Sequence, residues 1–427
     1  MANTYLTRTM GTPTNVQKCT VSQWVKFGAL GSSEQLFETY QSASQRITIY
    51  RNASNQLYYY DPASSVNIVT TRVFRDTSAW YHIVYSVDTT QGTASDRVKL
   101  YVNGVQETVF GTNATYGVNN NTGQGSGFIN VIGHYHGAGS NKFTGSMSYV
   151  AFVDGTALAP TVFGSTDSTT GEWKINTSPS FTPGTNGFLI LKNGNSLTDE
   201  STNTNNFTLG GGTLTKTEDN PSNVFATMNA LSKSLSNVVL SKGNTIIRND
   251  SGNDGNVLGT IALGNGKYYW ETYKYGGGNT GLGITLASVD GSNHAAIHGS
   301  RVNYYQDGYI YQNGFGLSDI NTGVTYSDTD IISVSVDTEN GTIKFYKNGV
   351  LVNNSSQTNS VFTYAQNELI PFWYCSNGGE WRTNLGNGYF GTTAVSSAGT
   401  NASENGIFEY AVQPTDATAL STKGLNL

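Results

Sequence analysis

Residues Asp330 to Gly349 read DIISVSVDTENGTIKFYKNG. From Ile331 to Val336 apolar and polar residues alternate, and Asn340-Gly341 follows. Thr342 to Tyr346, TIKFY, repeats the alternation and runs into Asn348-Gly349, eight residues beyond the first Asn-Gly pair. Period-two alternation with β-branched residues is a strand signal, and Asn-Gly supplies the positive φ angles that a type I′ hairpin turn requires. The stretch therefore predicts a tight three-strand meander.

The same texture extends in both directions. Toward the N-terminus lie CTVSQWVKF (19–27), QRITIY (45–50), QLYYY (56–60), WYHIVYSV (80–87) and VKLYV (98–102), the last followed by Asn103-Gly104. Further strands are expected at Phe128 to Ile132 and Ser146 to Val153. Around the meander lie KYYWETYKY (267–275), GLGITL (281–286), YYQDGYIY (304–311, with an Asp307-Gly308 turn) and IPFWYC (370–375). Composition agrees. Of 427 residues only 12% are charged, about half the usual share, while Gly numbers 50, Tyr 26 and Phe 18. Helices that coat their outer faces with Glu, Lys and Arg are excluded, and 12% aromatic residues argue against disorder. The expected fold is all-β, with two sandwich or jelly-roll domains. Residues 1–165 form the first and 222–390 the second. Between them, 166–221 is rich in Ser, Thr, Asn and Gly yet carries Phe181, Phe188, Leu189 and Phe207, so an ordered connector is expected. The tail, 391–427, is expected to dock through Phe408, Tyr410, Leu420, Leu425 and Leu427.

A formal charge of −6 gives no long-range attraction for nucleic acid. The N-terminus lacks the apolar run of a signal peptide, and no window approaches the ~18 apolar residues of a membrane span. Synthesis in a cytosol and no membrane insertion are expected. Cys19 and Cys375 are the only cysteines, read as buried free thiols; a disulfide scaffold is excluded at this count.

Three motifs in the first half fall in order: Gln23-Trp24-Val25-Lys26, Trp80-Tyr81-His82-Ile83-Val84, and Val98 to Gly104, VKLYVNG. With GSMSYVAFVD (145–154) they resemble laminin-G-like and pentraxin-like domains of the concanavalin-A-like lectin superfamily. In the second half, GKYYWE (266–271), Gly281 to Ile284, Asp330 to Gly349, Ile370-Pro371-Phe372 and Asn384-Leu385-Gly386 resemble a SPRY domain, with Leu385 where that family has Phe. The order of the two modules, the stretches DNPSN (219–223) and FATMN (225–229), and the endings FEY (408–410) and KGLNL (423–427) resemble tailed-phage virion proteins, particularly those of aquatic phages. That resemblance implies a structural protein on the virion surface, tail-associated or head-decorating, made in the host cytoplasm. It implies other virion proteins as partners, a homo-oligomeric state, and host-surface glycans or a receptor as a further ligand class. Two alternatives stay open: a purely structural subunit that binds only phage proteins, and a glycan depolymerase.

Little points to catalysis. Glycosidases need two carboxylates across the sugar, two or four residues apart if both stand on one strand face. No Glu-x-Asp-x-Glu spacing emerges, and Asp328 and Asp330 match a turn of the SPRY pattern. His294 and His298 are four apart, as in H-E-x-x-H, but Ala295 stands where the general base belongs. His134 and His136 flank Tyr135 in GHYHG and could share a face, with no third metal ligand adjacent. His82 is read as a packed, hydrogen-bonded histidine. No cofactor is expected. A structural Ca²⁺ stays open, with Asp250 to Asn256 oxygen-rich but lacking a bidentate Glu, and its ligands are unassigned. For ligand binding, exposed aromatics among amides are the natural candidates: Tyr304, Tyr305, Tyr309 and Tyr311 about Asp307-Gly308, Trp381 beside Asn377-Gly378-Gly379, and His134, Tyr135 and His136. Trp381 and Tyr305 are expected at the surface, Trp373 in the core.

Overall fold

A computed structural model describes residues 4–28, 30–401 and 403–426. The chain folds as two units, Met1–Lys216 and Thr217–Leu427, each an antiparallel β-sandwich with its own core. No helix among the described residues is long and apolar enough to cross a membrane.

In the first unit an eight-stranded sheet runs in the order Phe110–Ala114, Val66–Thr70, Leu57–Asp61, Gln45–Arg51, Glu34–Ser42, Ile129–Ile132, Tyr5–Thr9, Thr208–Gly211. A six-stranded sheet faces it: Phe188–Ile190, Ser146–Asp154, Lys18–Lys26, Tyr81–Asp88, Val98–Val102, Val105–Gln106. Between them pack Val21, Val25, Phe27, Phe37, Ile47, Ile49, Tyr59, Ile83, Leu100 and Phe152, all buried. Asn103 and Gly104 take φ of 48° and 77°, closing the VKLYV hairpin with the two-residue turn that Asn-Gly specifies.

Much of the segment read as a connector belongs to this unit. Phe188–Ile190 pairs with Ser146–Asp154, and Thr208–Gly211 pairs with Tyr5–Thr9. Trp173 closes over His82, its Nε1 donating to Nδ1 at 3.0 Å, while His82 Nε2 lies 2.9 Å from Ser22 Oγ. With Nδ1 accepting, Nε2 carries the proton and donates to Ser22. Burial pushes this imidazole down to about 3, so it stays neutral.

The second unit pairs a seven-stranded sheet (Met228–Lys233, Gly255–Gly259, Leu369–Ser376, Asn279–Leu286, Arg301–Tyr305, Tyr309–Gln312, Ile320–Asn321) with an eight-stranded one. The latter runs Val238–Ser241, Ile246–Asn249, Gly379–Asn384, Lys267–Tyr275, Ile331–Asp337, Thr342–Lys347, Val350–Leu351, and Gln357–Thr358 also pairs with Thr342–Lys347. The meander forms, but its two turns differ. Asn348 and Gly349 both have positive φ, 49° and 77°, as a type I′ turn requires. At the first turn only Gly341 does, φ 65°, because the Asp337 carboxylate accepts from the N–H groups of Glu339 and Asn340 and builds a longer loop.

The tail packs on this second sandwich. Phe408, Val412, Ala417 and Ala419 are buried with Phe225 and Tyr269, and Leu420 enters the main core. Two predicted anchors depart from this pattern: Leu425 is exposed, and Leu427 lies outside the described residues.

Candidate functional sites

In the first unit the alternation of QRITIY and QLYYY sends Ile47, Ile49, Leu57 and Tyr59 inward. Their neighbours Arg46, Thr48, Tyr50, Tyr58 and Tyr60 fall on the opposite face of the eight-stranded sheet. Across the strands Tyr50 pairs with Tyr58, Thr48 with Tyr60 and with Glu38, and Arg46 with Tyr40. The Tyr50 and Tyr58 rings stack at 4.8 Å. The Arg46 guanidinium lies 5.6 Å from the Tyr60 ring centre and 5.2 Å from that of Tyr135. This face thus carries a row of half-buried tyrosines with one cation among them.

The GHYHG loop closes one side of the row. Tyr40 meets His136 at 5.0 Å and Tyr135 at 6.5 Å, both edge-on, and His134 stacks on Tyr5 at 4.3 Å. His134 is buried and its pKa is lowered, by burial first and then by His136 and Lys142. Glu38 ties the loop down: it accepts the His136 N–H at 2.9 Å and the Thr48 hydroxyl at 3.2 Å. Burial pushes the Glu38 carboxyl up to about 7, against the opposing effects of those two donors and Arg46.

One carboxylate spacing that the sequence reading passed over is present. Glu34 and Glu38 are four residues apart on one strand, the interval that would set both on one face. The register shifts between Gln35 and Phe37, and the shift separates them. Glu34 turns inward to Arg51, which lies against Phe27, and only Glu38 stays on the tyrosine face. The two-carboxylate geometry of a glycosidase is therefore not assembled from this pair.

In the second unit the predicted tyrosines divide by strand phase. Tyr304 is fully buried, opposite Ile310, with its hydroxyl on the Val324 carbonyl. Tyr305 and Tyr311 are half-buried on the other face, and Tyr309 is 37% exposed. Tyr309 stacks on Tyr311 at 6.0 Å, and Tyr311 donates to Asp307 at 2.8 Å. Trp381, expected at the surface, is instead fully buried: its Nε1 donates to the carbonyls of Gly281 and Tyr374, each at 3.1 Å. The strand Gly379–Asn384 lies inside its sheet, so alternation points Trp381 into the core beside Trp373.

Two candidates that the sequence treats separately meet on that outer face. The helix His294–His298, capped by the Asn293 side chain, packs over Leu258, Phe372 and Tyr374 through Ile297. It brings His294 and His298 to Asp254, a member of the oxygen-rich 250–256 stretch. Arg301 joins them, with Nη1 2.8 Å from His298 Nε2 and its guanidinium 5.5 Å from the Tyr311 ring. Burial first, then the charges of Arg301 and His294, push the His298 imidazole down to about 3.

Comparison with known proteins agrees with these architectures. Residues 2–163 match the family model described as the concanavalin A-like lectin/glucanases superfamily, and residues 267–388 match that of the SPRY domain. Domains of both kinds are typically binding modules. No curated protein matches in sequence. Among solved structures, the SPRY domain of human HERC1 is 22% identical, over 36% of this chain and 96% of that one, at a TM-score of 0.28. The stonustoxin structure is 19% identical, over 37% and 27%, at 0.27. The TRIM65 PSpry domain is 14% identical, over 37% and 90%, at 0.29.

Proposed function

We propose that this chain is a non-enzymatic binding protein of a tailed-phage particle surface, and that its first unit recognises saccharides on the tyrosine face of the eight-stranded sheet. The observation that carries the ligand class is the row Tyr40, Tyr50, Tyr58 and Tyr60 with Arg46 and Thr48 between the rings. Aromatic faces stack on the C–H faces of sugars, and tyrosine hydroxyls and a guanidinium bond their hydroxyls. Glu38 stands on this face without Glu34, which turns inward to Arg51, and this favours binding over hydrolysis by that pair. The phage setting rests on the resemblance of the module order and of the connecting and closing motifs. Synthesis in the host cytoplasm, other virion proteins as partners and self-association follow from that setting.

The direct test is a glycan array with the purified chain, beside the variants Tyr58→Ala and Arg46→Ala. Binding that drops on the order of tenfold in each variant supports the face. No glycan bound, or binding indifferent to both substitutions, overturns it. The virion setting is tested separately by antibody labelling of intact particles. A second reading, a subunit that contacts only virion proteins, is favoured by the exposed edge strand Val350–Leu351, whose side chains are 69% and 46% exposed.

A further inference from the structure

We propose that Asp254, His294 and His298 form a binding site for a divalent transition metal of the zinc class. One ligand atom from each lies within 4.8 Å of the other two. The site lies in the second unit and stands apart from the saccharide reading.

The donor set decides the metal. Two imidazoles and one carboxylate suit Zn²⁺, Ni²⁺ or Co²⁺ and disfavour Ca²⁺ and Mg²⁺, which take oxygen ligands. Two histidines four apart on one helical turn project side by side, and here their ring centres are 3.9 Å apart. His294 Nε2 is 3.7 Å from Asp254 Oδ2, close to the separation of two ligands on one tetrahedral ion.

The surroundings supply the outer hydrogen bonds that metal ligands use. Tyr374 donates to Asp254 Oδ1 at 2.5 Å and so orients the carboxylate, leaving Oδ2 toward His294. The Asn256 amide meets His294 Nδ1 at 2.6 Å, while Asn256 Oδ1 has no partner among the described residues. That separation suits an oxygen acceptor better than a nitrogen one. Turned about, the amide would accept the Nδ1 proton and leave Nε2 as a bare lone pair facing Asp254. Arg301 is the built-in competitor, since its Nη1 already engages His298 Nε2. Metal must displace that contact or take the other ring nitrogen, and the neighbouring cation weakens binding.

The test titrates the full chain with Zn²⁺ by calorimetry and with Co²⁺ by visible absorption. We expect one equivalent bound through this site, with the Co²⁺ spectrum of a nitrogen and oxygen ligand set. Asp254→Asn and His298→Ala should each weaken binding on the order of tenfold or more. Arg301→Met should tighten it on the order of tenfold by removing the competing charge. Circular dichroism and melting establish that each variant is folded. Asp254→Asn is the variant safest on this count, its parent side chain being 42% exposed. The proposal is overturned if no equivalent binds, if binding survives in the His294→Ala/His298→Ala double variant, or if it is lost in His134→Ala/His136→Ala instead.

Discussion

Arg51 Nη2 lies 2.6 Å from Glu34 Oε2, and both side chains are wholly excluded from solvent. The guanidinium also sits 4.3 Å from the Phe27 ring centre and donates to the Phe74 carbonyl, while Glu34 accepts the N–H of Thr144 at 3.0 Å. Burial raises the carboxyl and lowers the guanidinium, and each partner opposes the effect on the other. Removing one member leaves a buried charge without its counter-charge. Glu34→Ala should therefore cost about 3–5 kcal/mol, read as a shift in the urea midpoint of the first unit. A loss below about 1 kcal/mol would show that the pair is dispensable.

A second carboxylate fastens the tail. Glu271, the last residue of the GKYYWE motif, accepts the N–H groups of Glu409 at 2.7 Å and Tyr410 at 2.9 Å and the Tyr269 hydroxyl at 3.1 Å. Burial nevertheless holds its carboxyl up to about 7, above the ordinary 4.5. Folded chains then bind more protons than unfolded ones between those values, so this group's contribution falls as pH rises from about 4.5 to 7 and is level beyond. The full difference is on the order of 3 kcal/mol. In Glu271→Gln that slope should vanish. Melting curves of both proteins across this window decide it, and parallel pH profiles would refute the assignment.

How much of this could be read from sequence depends on where alternation survives. The hairpins ending in Asn103-Gly104 and Asn348-Gly349 were legible, because strand period and turn chemistry agree there. Glu34–Ser42 was not: Leu36 and Phe37 are both buried, and this doublet, which marks the register shift, hides the period. The tyrosine face was half legible. Its outward residues alternate visibly in QRITIY and QLYYY, and pairing those two runs would have placed Arg46, Tyr50, Tyr58 and Tyr60 on one surface. The meeting of Asp254 with His294 and His298 spans some forty residues of chain and two elements, and no local pattern carries it. Trp381 lies in the core although a glycine-flanked tryptophan reads as loop, because Asn377 and Gly378, both with positive φ, make the tight turn between Leu369–Ser376 and Gly379–Asn384, and Gly379 already belongs to the strand.

That correction gives a contrast between neighbouring aromatics. Trp381→Phe removes the only N–H that this side chain offers to the Gly281 and Tyr374 carbonyls and leaves a void in the core. The expected loss is about 2–4 kcal/mol. Tyr309→Ala removes a 37% exposed ring whose hydroxyl accepts from Asn321, and should change stability by about 0.5 kcal/mol or less. Denaturant midpoints for the two variants should therefore separate widely. Equal midpoints would place Trp381 in a looser setting than its hydrogen bonds indicate.

The two cysteines offer one reporter for each unit. Cys19 stands in the first core and Cys375 in the second, and neither reaches solvent. Burial pushes both thiols up, with Asp154 and Asp61 adding to the effect at Cys19 and Lys274 opposing it at Cys375. Only the thiolate reacts quickly, so neither residue should label in the folded chain at neutral pH. In urea each should become reactive as its own unit opens. Pulsed alkylation of Cys19→Ser and Cys375→Ser would then trace the second and the first unit separately. Glu34→Ala should advance labelling of Cys19 while leaving Cys375 unchanged, because the Arg51 pair lies wholly in the first core. Trp381→Phe, in the second core, should do the reverse. If either substitution advanced both thiols equally, the two sandwiches would be unfolding as a single cooperative body, which separate cores do not require.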